Sequence, residues 1–188
     1  MEKIQTIFNR DWEGNHGVID QYLIDVEELK GAKATEKLDG TNVRLTIRNG
    51  NLVRLEKRRN PSKIQKKMEI TEPWYVDANE YDPQDKYLWE AAKNIRISGW
   101  VEVKDGEWSG EALGPKIQDN PLNLEEHCVI LFSNGDAPIF ENVPTTFAGL
   151  KEWLPKQRSK FGNDCGIEGI VWHNNNGKMY KIKLKDFK

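Results

Sequence analysis

The chain has 188 residues, 28 Lys and Arg against 30 Asp and Glu, a formal net charge of -2 and 37% hydrophobic residues. That length suits one domain, residues 1–188, with a real core, and the balance is that of a folded soluble chain. It excludes a protein that coats nucleic acid with its whole surface, and no apolar run approaches the roughly 20 residues that span a bilayer, so no membrane partner is expected.

The N-terminal residues lack the apolar core of a secretory signal. Cys128 and Cys165 show no CxxC spacing. A reducing, cytoplasmic location is the expectation, and a structural zinc is not. Charge is nevertheless segregated: residues 54–67 read RLEKRRNPSKIQKK and residues 178–188 read KMYKIKLKDFK. Such runs are either solvated faces or surfaces converging on polyphosphate or a nucleic-acid backbone.

In chain order, residues 6–17 are mixed and polar and predict irregular structure, and 22–30 predict a short helix ended near Gly31. Apolar and charged residues alternate over 43–48, meet Asn49-Gly50 and resume over 52–55, which predicts a β-hairpin. Residues 85–95 predict a helix with Leu88, Ala91, Ala92 and Ile95 on one face. Strands are expected at 100–103 and, more fully buried, at 128–132. A helix over 147–154 should stop before Pro155.

Alternation returns over 169–172 and 179–184, around a turn at 174–177. Period two then puts Lys181 and Lys183 on one face. Antiparallel hairpins with a few short helices make an α+β fold. The glycine-rich loops of P-loop and Rossmann proteins are missing from the sequence.

Lys37 is the residue with a chemical signature. It lies in Thr35-Glu36-Lys37-Leu38-Asp39-Gly40-Thr41-Asn42, where a strand gives way to a glycine turn, and Arg44 follows. Further on come Lys57-Arg58-Arg59, then Ser109-Gly110-Glu111-Ala112-Leu113-Gly114-Pro115-Lys116-Ile117-Gln118, then Phe132, Glu168-Gly169-Ile170-Val171 and Lys181-Ile182-Lys183. Taken singly, Glu111 reads as surface decoration and Phe132 as core. Together and in this order they resemble the covalent lysyl-nucleotidyltransferases, which comprise RNA ligases, DNA ligases and capping guanylyltransferases. Threonine and asparagine after the glycine resemble the RNA ligases in particular, of the RNA ligase 2 type.

The resemblance implies a nucleotidyltransferase (ligase adenylation-domain) fold, with antiparallel sheets flanked by short helices around a central nucleotide cleft. It implies Lys37 as the nucleophile that takes AMP from ATP, with Lys181 and Lys183 on the α-phosphate. Arg58 would bind phosphate, and Arg59 would point to the opposite strand face. Glu111 would take the ribose hydroxyls, Glu36 the adenine amino group, and Phe132 would stack on adenine. Glu168 would order Mg or Mn, while Asp39 and Asn42 would orient the nucleophile and the end being activated.

Free lysine has a pKa near 10.4, so positive neighbours and partial burial are expected to favour the neutral, attacking amine. The partner implied is RNA with 5′-phosphate and 3′-hydroxyl ends, with DNA as an alternative. A DNA ligase, a capping guanylyltransferase or a non-catalytic end-binding module remain alternative readings.

Two features depart from the pattern. His173 stands where RNA ligase 2-type enzymes usually carry lysine, so either another cation takes that role or His173 supplies pH-dependent charge. The chain also ends five residues after Lys183. The expectation is therefore a lone adenylation domain without a C-terminal OB or helical domain, whose place a protein partner would fill.

Overall fold

Burial begins almost at the first residues. Strands β1 (Gln5–Thr6) and β2 (Phe8–Arg10) flank Ile7, and both Ile7 and Phe8 are completely buried in the computed structural model, which describes residues 3–70, 72–96, 104–132 and 137–188. The irregular structure expected over 6–17 is thus confined to 11–17, because strands of two and three residues are too short to show period two. Strand β3 (Val18–Tyr22) follows. The helix expected over 22–30 is only a 3₁₀ turn, Val26–Leu29, capped by the Asp25 carboxylate and followed by Gly31 at a φ of 71°. Strand β4 (Lys33–Glu36) ends one residue before Lys37.

The predicted hairpin is present as β5 (Thr41–Arg48) and β6 (Asn51–Arg58), joined through Asn49 and Gly50 at φ values of 51° and 70°. Two successive positive φ angles match the right-handed twist of the strands, and Asn-Gly tolerates them best. Helix α1 (Lys63–Lys67), unforeseen in the basic run, starts at Ser62, which forms a reciprocal capping box with Gln65. Strand β7 (Tyr75–Asp77), helix α2 (Lys86–Ala92) and strand β8 (Ile95–Arg96) come next.

The strand expected at 100–103 lies outside the described residues. Strands β9 (Gly106–Leu113) and β10 (Cys128–Leu131) precede helix α3 (Phe147–Trp153). Contrary to expectation the chain stays helical past Pro155, as a 3₁₀ turn Leu154–Lys156, because a proline in a first turn forfeits no hydrogen bond. Strands β11 (Gly169–His173) and β12 (Met179–Lys183) close the fold.

These elements form two compact units. The unit of residues 39–136 holds a six-stranded sheet, β7-β6-β5-β9-β10-β8, antiparallel except for the last pair. One face buries Val43, Leu45, Leu55, Ala112, Val129 and Leu131 against Leu88, Ala91 and Ala92 of α2. The unit of residues 3–38 and 137–188 holds a four-stranded sheet, β1-β12-β11-β4, and the β2-β3 pair. Its core joins Ile7, Phe8, Ile170, Trp172, Tyr180 and Ile182 to Leu150 and Leu154. The architecture is α+β, with mainly antiparallel sheets and few helices.

Because Phe8 is wholly enclosed, Phe8→Ala should destabilise the chain by about 3–5 kcal/mol in denaturant unfolding. A loss below about 1 kcal/mol would mean that the first strands lie outside the core.

Candidate active site

Antiparallel pairing brings the end of β4, the start of β11 and the end of β12 to the same end of the four-stranded sheet. Gly169 pairs with Lys183, Ile170 pairs with Glu36, and the Lys37 amide donates to the Gly169 carbonyl at 2.9 Å. Three residues distant in sequence thereby become neighbours. Glu168, whose side chain is 6% exposed, receives Lys37 Nζ on Oε2 at 2.5 Å and Lys183 Nζ on Oε1. Lys185 Nζ lies 3.9 Å from Oε1. Burial pushes the Glu168 carboxyl up, but the charge of Lys37 and the hydrogen bonds from Lys183 and Lys37 outweigh it and hold it below the ordinary value.

Lys181 occupies the same strand face as Lys183, between the buried residues Tyr180 and Ile182. It pairs with Val171 on one side and Thr6 on the other. Burial, then the charges of Lys183, Lys37 and Lys3, lower its pKa from 10.5 to about 8. Gly169 permits the arrangement: a Cβ there would sit 2.0 Å from the Ile182 carbonyl oxygen and 2.8 Å from Lys183 Cα. Any other residue pushes β12 away from β11, and with it Lys183 away from Glu168.

Glu36 faces the other way, as alternation along β4 requires. It is 2% exposed, and its two oxygens accept from Ser159 Oγ at 2.5 Å and from the Lys160 amide at 2.9 Å. Ser159 Oγ in turn accepts from the amides of Phe161 and Gly162. Burial raises the Glu36 pKa, and these bonds oppose the rise. Glu36 thus anchors the 159–162 loop to the strand carrying Lys37, a role that sequence spacing did not reveal. His173 Nε2 lies 3.0 Å from Thr35 Oγ1. Burial, then the charge of Lys33, holds His173 below its usual pKa, so it is neutral at pH 7 and adds no charge there.

In the six-stranded sheet the face turned away from α2 carries the polar residues of the signature. Asn42 pairs with Glu111 across β5 and β9, donates from Nδ2 to the Gly110 carbonyl at 3.1 Å and accepts from the Tyr75 hydroxyl at 2.7 Å. Glu111, 9% exposed, accepts from the Gly40 amide at 3.2 Å. Gly40 is required here as well, since a Cβ would come within 2.2 Å of the Ala112 carbonyl oxygen. Arg58 lies 4.4 Å from the Trp74 ring centroid and 5.7 Å from that of Tyr75. Phe132 is half-buried one residue beyond β10, and Asp39 is half-buried ahead of Gly40. Lys37 and Asp39 fall in different units, so each group of side chains stands as its own cluster.

The basic runs divide by function. Arg54 pairs with Asp77 at 2.6 Å, Lys57 with the buried Asp85 at 2.6 Å, and Arg44 makes a bidentate pair with the buried Glu56. Arg59 donates to the Pro73 and Glu72 carbonyls and to Gln65. Those cations are structural, as the solvated-face reading of the run allowed. Lys63, Lys66 and Lys67 on α1 are exposed. Among the described residues no group of three or more His, Cys, Asp or Glu gathers as a metal site, and no helix is long and apolar enough to cross a membrane.

No protein-family model and no curated protein matches the sequence. Solved structures of a Naegleria gruberi RNA ligase are similar. One, with AMP and Mn, is 15% identical over 85% of this chain and 52% of that chain, with a TM-score of 0.47. Another, with ATP and Mn, is 16% identical over 95% of this chain and 55% of that one, with a TM-score of 0.49. A third, with PPi, is 16% identical over 85% and 51%, with a TM-score of 0.47. The chain spans about half the length of these structures.

Gly169→Ala should cost about 1–3 kcal/mol by forcing β11 and β12 apart, read as a lower melting temperature. Lys181→Met should act in the opposite sense. Lys181 is held at about 8 in the fold and near 10.5 when unfolded, so its ammonium opposes folding below pH 8 and stops doing so between 8 and 10.5. The variant should therefore gain about 1 kcal/mol at pH 7, allowing for solvent screening, and the gain should vanish by about pH 10.5. A constant gain across that range would remove the charge explanation.

Proposed function

We propose that the chain is the adenylyl-accepting part of an ATP-dependent RNA ligase. The observation that carries this reading is the Glu168 carboxylate shared between Lys37 and Lys183, with Lys181 beside them, at the positions the ligase motifs require. The amine of Lys37 attacks the α-phosphorus of ATP; an N–P bond forms and the bond to pyrophosphate breaks. The attacking amine must first lose a proton and leave its ion pair with Glu168 Oε2, 2.5 Å away, since a carboxylate held below its ordinary pKa is a poor base and its charge favours the ammonium. Lys181 and Lys183 offset the charge that gathers on the α-phosphate oxygens in the transition state.

In the second step the AMP passes to a 5′-phosphate, forming a 5′-5′ pyrophosphate linkage. A 3′-hydroxyl then displaces AMP and seals the strand. Arg58, Glu111, Asn42, Asp39 and Phe132 keep the phosphate, ribose, end-orienting and adenine roles that the motif order implies. Glu36 keeps adenine recognition only as a secondary role, since its carboxylate already holds the 159–162 loop.

A divalent cation fits the donor chemistry of this cluster. Glu168 offers a carboxylate whose two oxygens accept from Lys37 and Lys183, so Mg or Mn would be held largely by water and substrate phosphates, with Glu168 as a carboxylate that exchanges a lysine for the ion or its water. When bound, such an ion neutralises triphosphate charge. DNA ends are the second acceptor class.

Incubation with α-labelled ATP and Mg or Mn should label the wild-type protein in an acid-labile, base-stable bond. Lys37→Ala should abolish the label, and Glu168→Ala should lower it by about 100-fold or more. Label retained in Lys37→Ala would overturn the assignment. Labelling by GTP rather than ATP would favour the capping reading.

A further inference from the structure

On the polar face of the six-stranded sheet, cations and aromatic rings alternate. The Arg44 guanidinium lies 4.8 Å from the Tyr75 ring centroid, Arg58 lies 5.7 Å from the same ring, and Arg58 lies 4.4 Å from the Trp74 ring. Strand β7, which carries Tyr75, is the edge of the sheet, and Trp74 stands just before it, half-buried. Arg59 ties this edge to α1: its amide donates to the Trp74 carbonyl at 3.0 Å, and its guanidinium reaches both the Pro73 carbonyl and Gln65. Arg59 thus sets α1 beside the segment that carries Trp74, and Lys63, Lys66 and Lys67 share one face of that helix. No acidic residue lies between Lys63 and Met68, and the three lysines are exposed, with no ion pair among those the structure describes.

Basic groups that track a backbone, next to an indole that offers a π-face, are the two parts of a sequence-tolerant single-strand site. An acidic peptide would use the lysines and have no need of the ring. We infer that α1 and the β6–β7 edge form a binding surface for single-stranded nucleic acid, with a base stacked on Trp74 and the backbone along Lys63, Lys66 and Lys67. Arg58, stacked on the same indole, fixes the ring's orientation. Tyr75 links the surface to Asn42 through its hydroxyl. The inference rests on the ligase reading for its biological sense, yet its binding test is independent of that chemistry.

The test measures anisotropy of a labelled single-stranded RNA of about 12 nucleotides, an abasic strand of the same length and inorganic polyphosphate, each against the full chain over a salt series. Wild type should prefer RNA over the abasic strand by about tenfold. Trp74→Ala should erase that preference and Trp74→Phe should keep most of it. The triple variant Lys63→Gln, Lys66→Gln, Lys67→Gln should flatten the log–log salt slope by about 2, since each phosphate contact to a single strand contributes roughly 0.7.

Thermal melts of each variant establish that it is folded. Equal affinity for RNA and abasic strand in the wild type, or an unchanged salt slope in the folded triple variant, would overturn the inference; equal binding of polyphosphate would reduce the surface to a general polyanion site. Labelling of Lys37 by ATP requires no strand and is scored separately. A protein that binds RNA in this pattern but takes no label sinks the ligase reading alone. One that takes label but ignores Trp74 and the lysines sinks this inference alone.

Discussion

One buried carboxylate shared by two lysines organises the end of the four-stranded sheet. Removing Glu168 from water would be costly if it were alone, and two ammonium groups offset that cost. The converse also holds. Burial, and then the repulsion of Lys183 and Lys37, lowers the pKa of Lys181, and the charge of Glu168 opposes that shift. Charge clusters of this kind, with a perturbed titratable group, concentrate at functional sites and also occur in structural ion-pair networks.

Backbone geometry supports that charge arrangement. Glu168 precedes β11 and its carbonyl accepts from the Leu184 amide, while the Lys183 amide donates to Asp186, which also binds Arg10. The end of β12 is thus held on both sides. Gly169 brings the strands close enough for the lysine and the glutamate to meet. On the reverse face of β4, Glu36 fastens the 159–162 loop. The strand that leads into Lys37 is therefore held by Glu36 on one face and by the Lys37–Glu168 pair beyond its end.

The six-stranded sheet shows the same division of labour on a larger surface. Its apolar face buries a continuous core under α2, and its polar face carries Asn42, Arg44, Glu56, Arg58, Tyr75 and Glu111. Several of these charges serve the fold first: Arg44 makes a bidentate pair that neutralises the buried Glu56. A basic run in sequence is therefore a poor measure of a basic surface. Of residues 54–67, the arginines and Lys57 are committed to protein partners or rings, and the exposed positive charge is concentrated on α1.

What the amino-acid sequence by itself determined is local. Period-two alternation marked β5, β6, β11 and β12, Asn49-Gly50 marked the hairpin turn, and the order of short motifs marked Lys37, Glu168, Lys181 and Lys183 as one chemical set. These are patterns a chain carries in neighbouring residues. The short strands β1 and β2, the single turn at Val26–Leu29 and helix α1 escaped because their stability comes from burial and capping, which a few residues do not display. Tertiary structure alone decided which charges are spent on one another: that Lys57 belongs to Asp85, Arg44 to Glu56 and Glu36 to Ser159, and that Glu168 lies between Lys37 and Lys183. Ion pairing depends on distance in space, and the fold fixes that distance between residues from 12 to 131 positions apart.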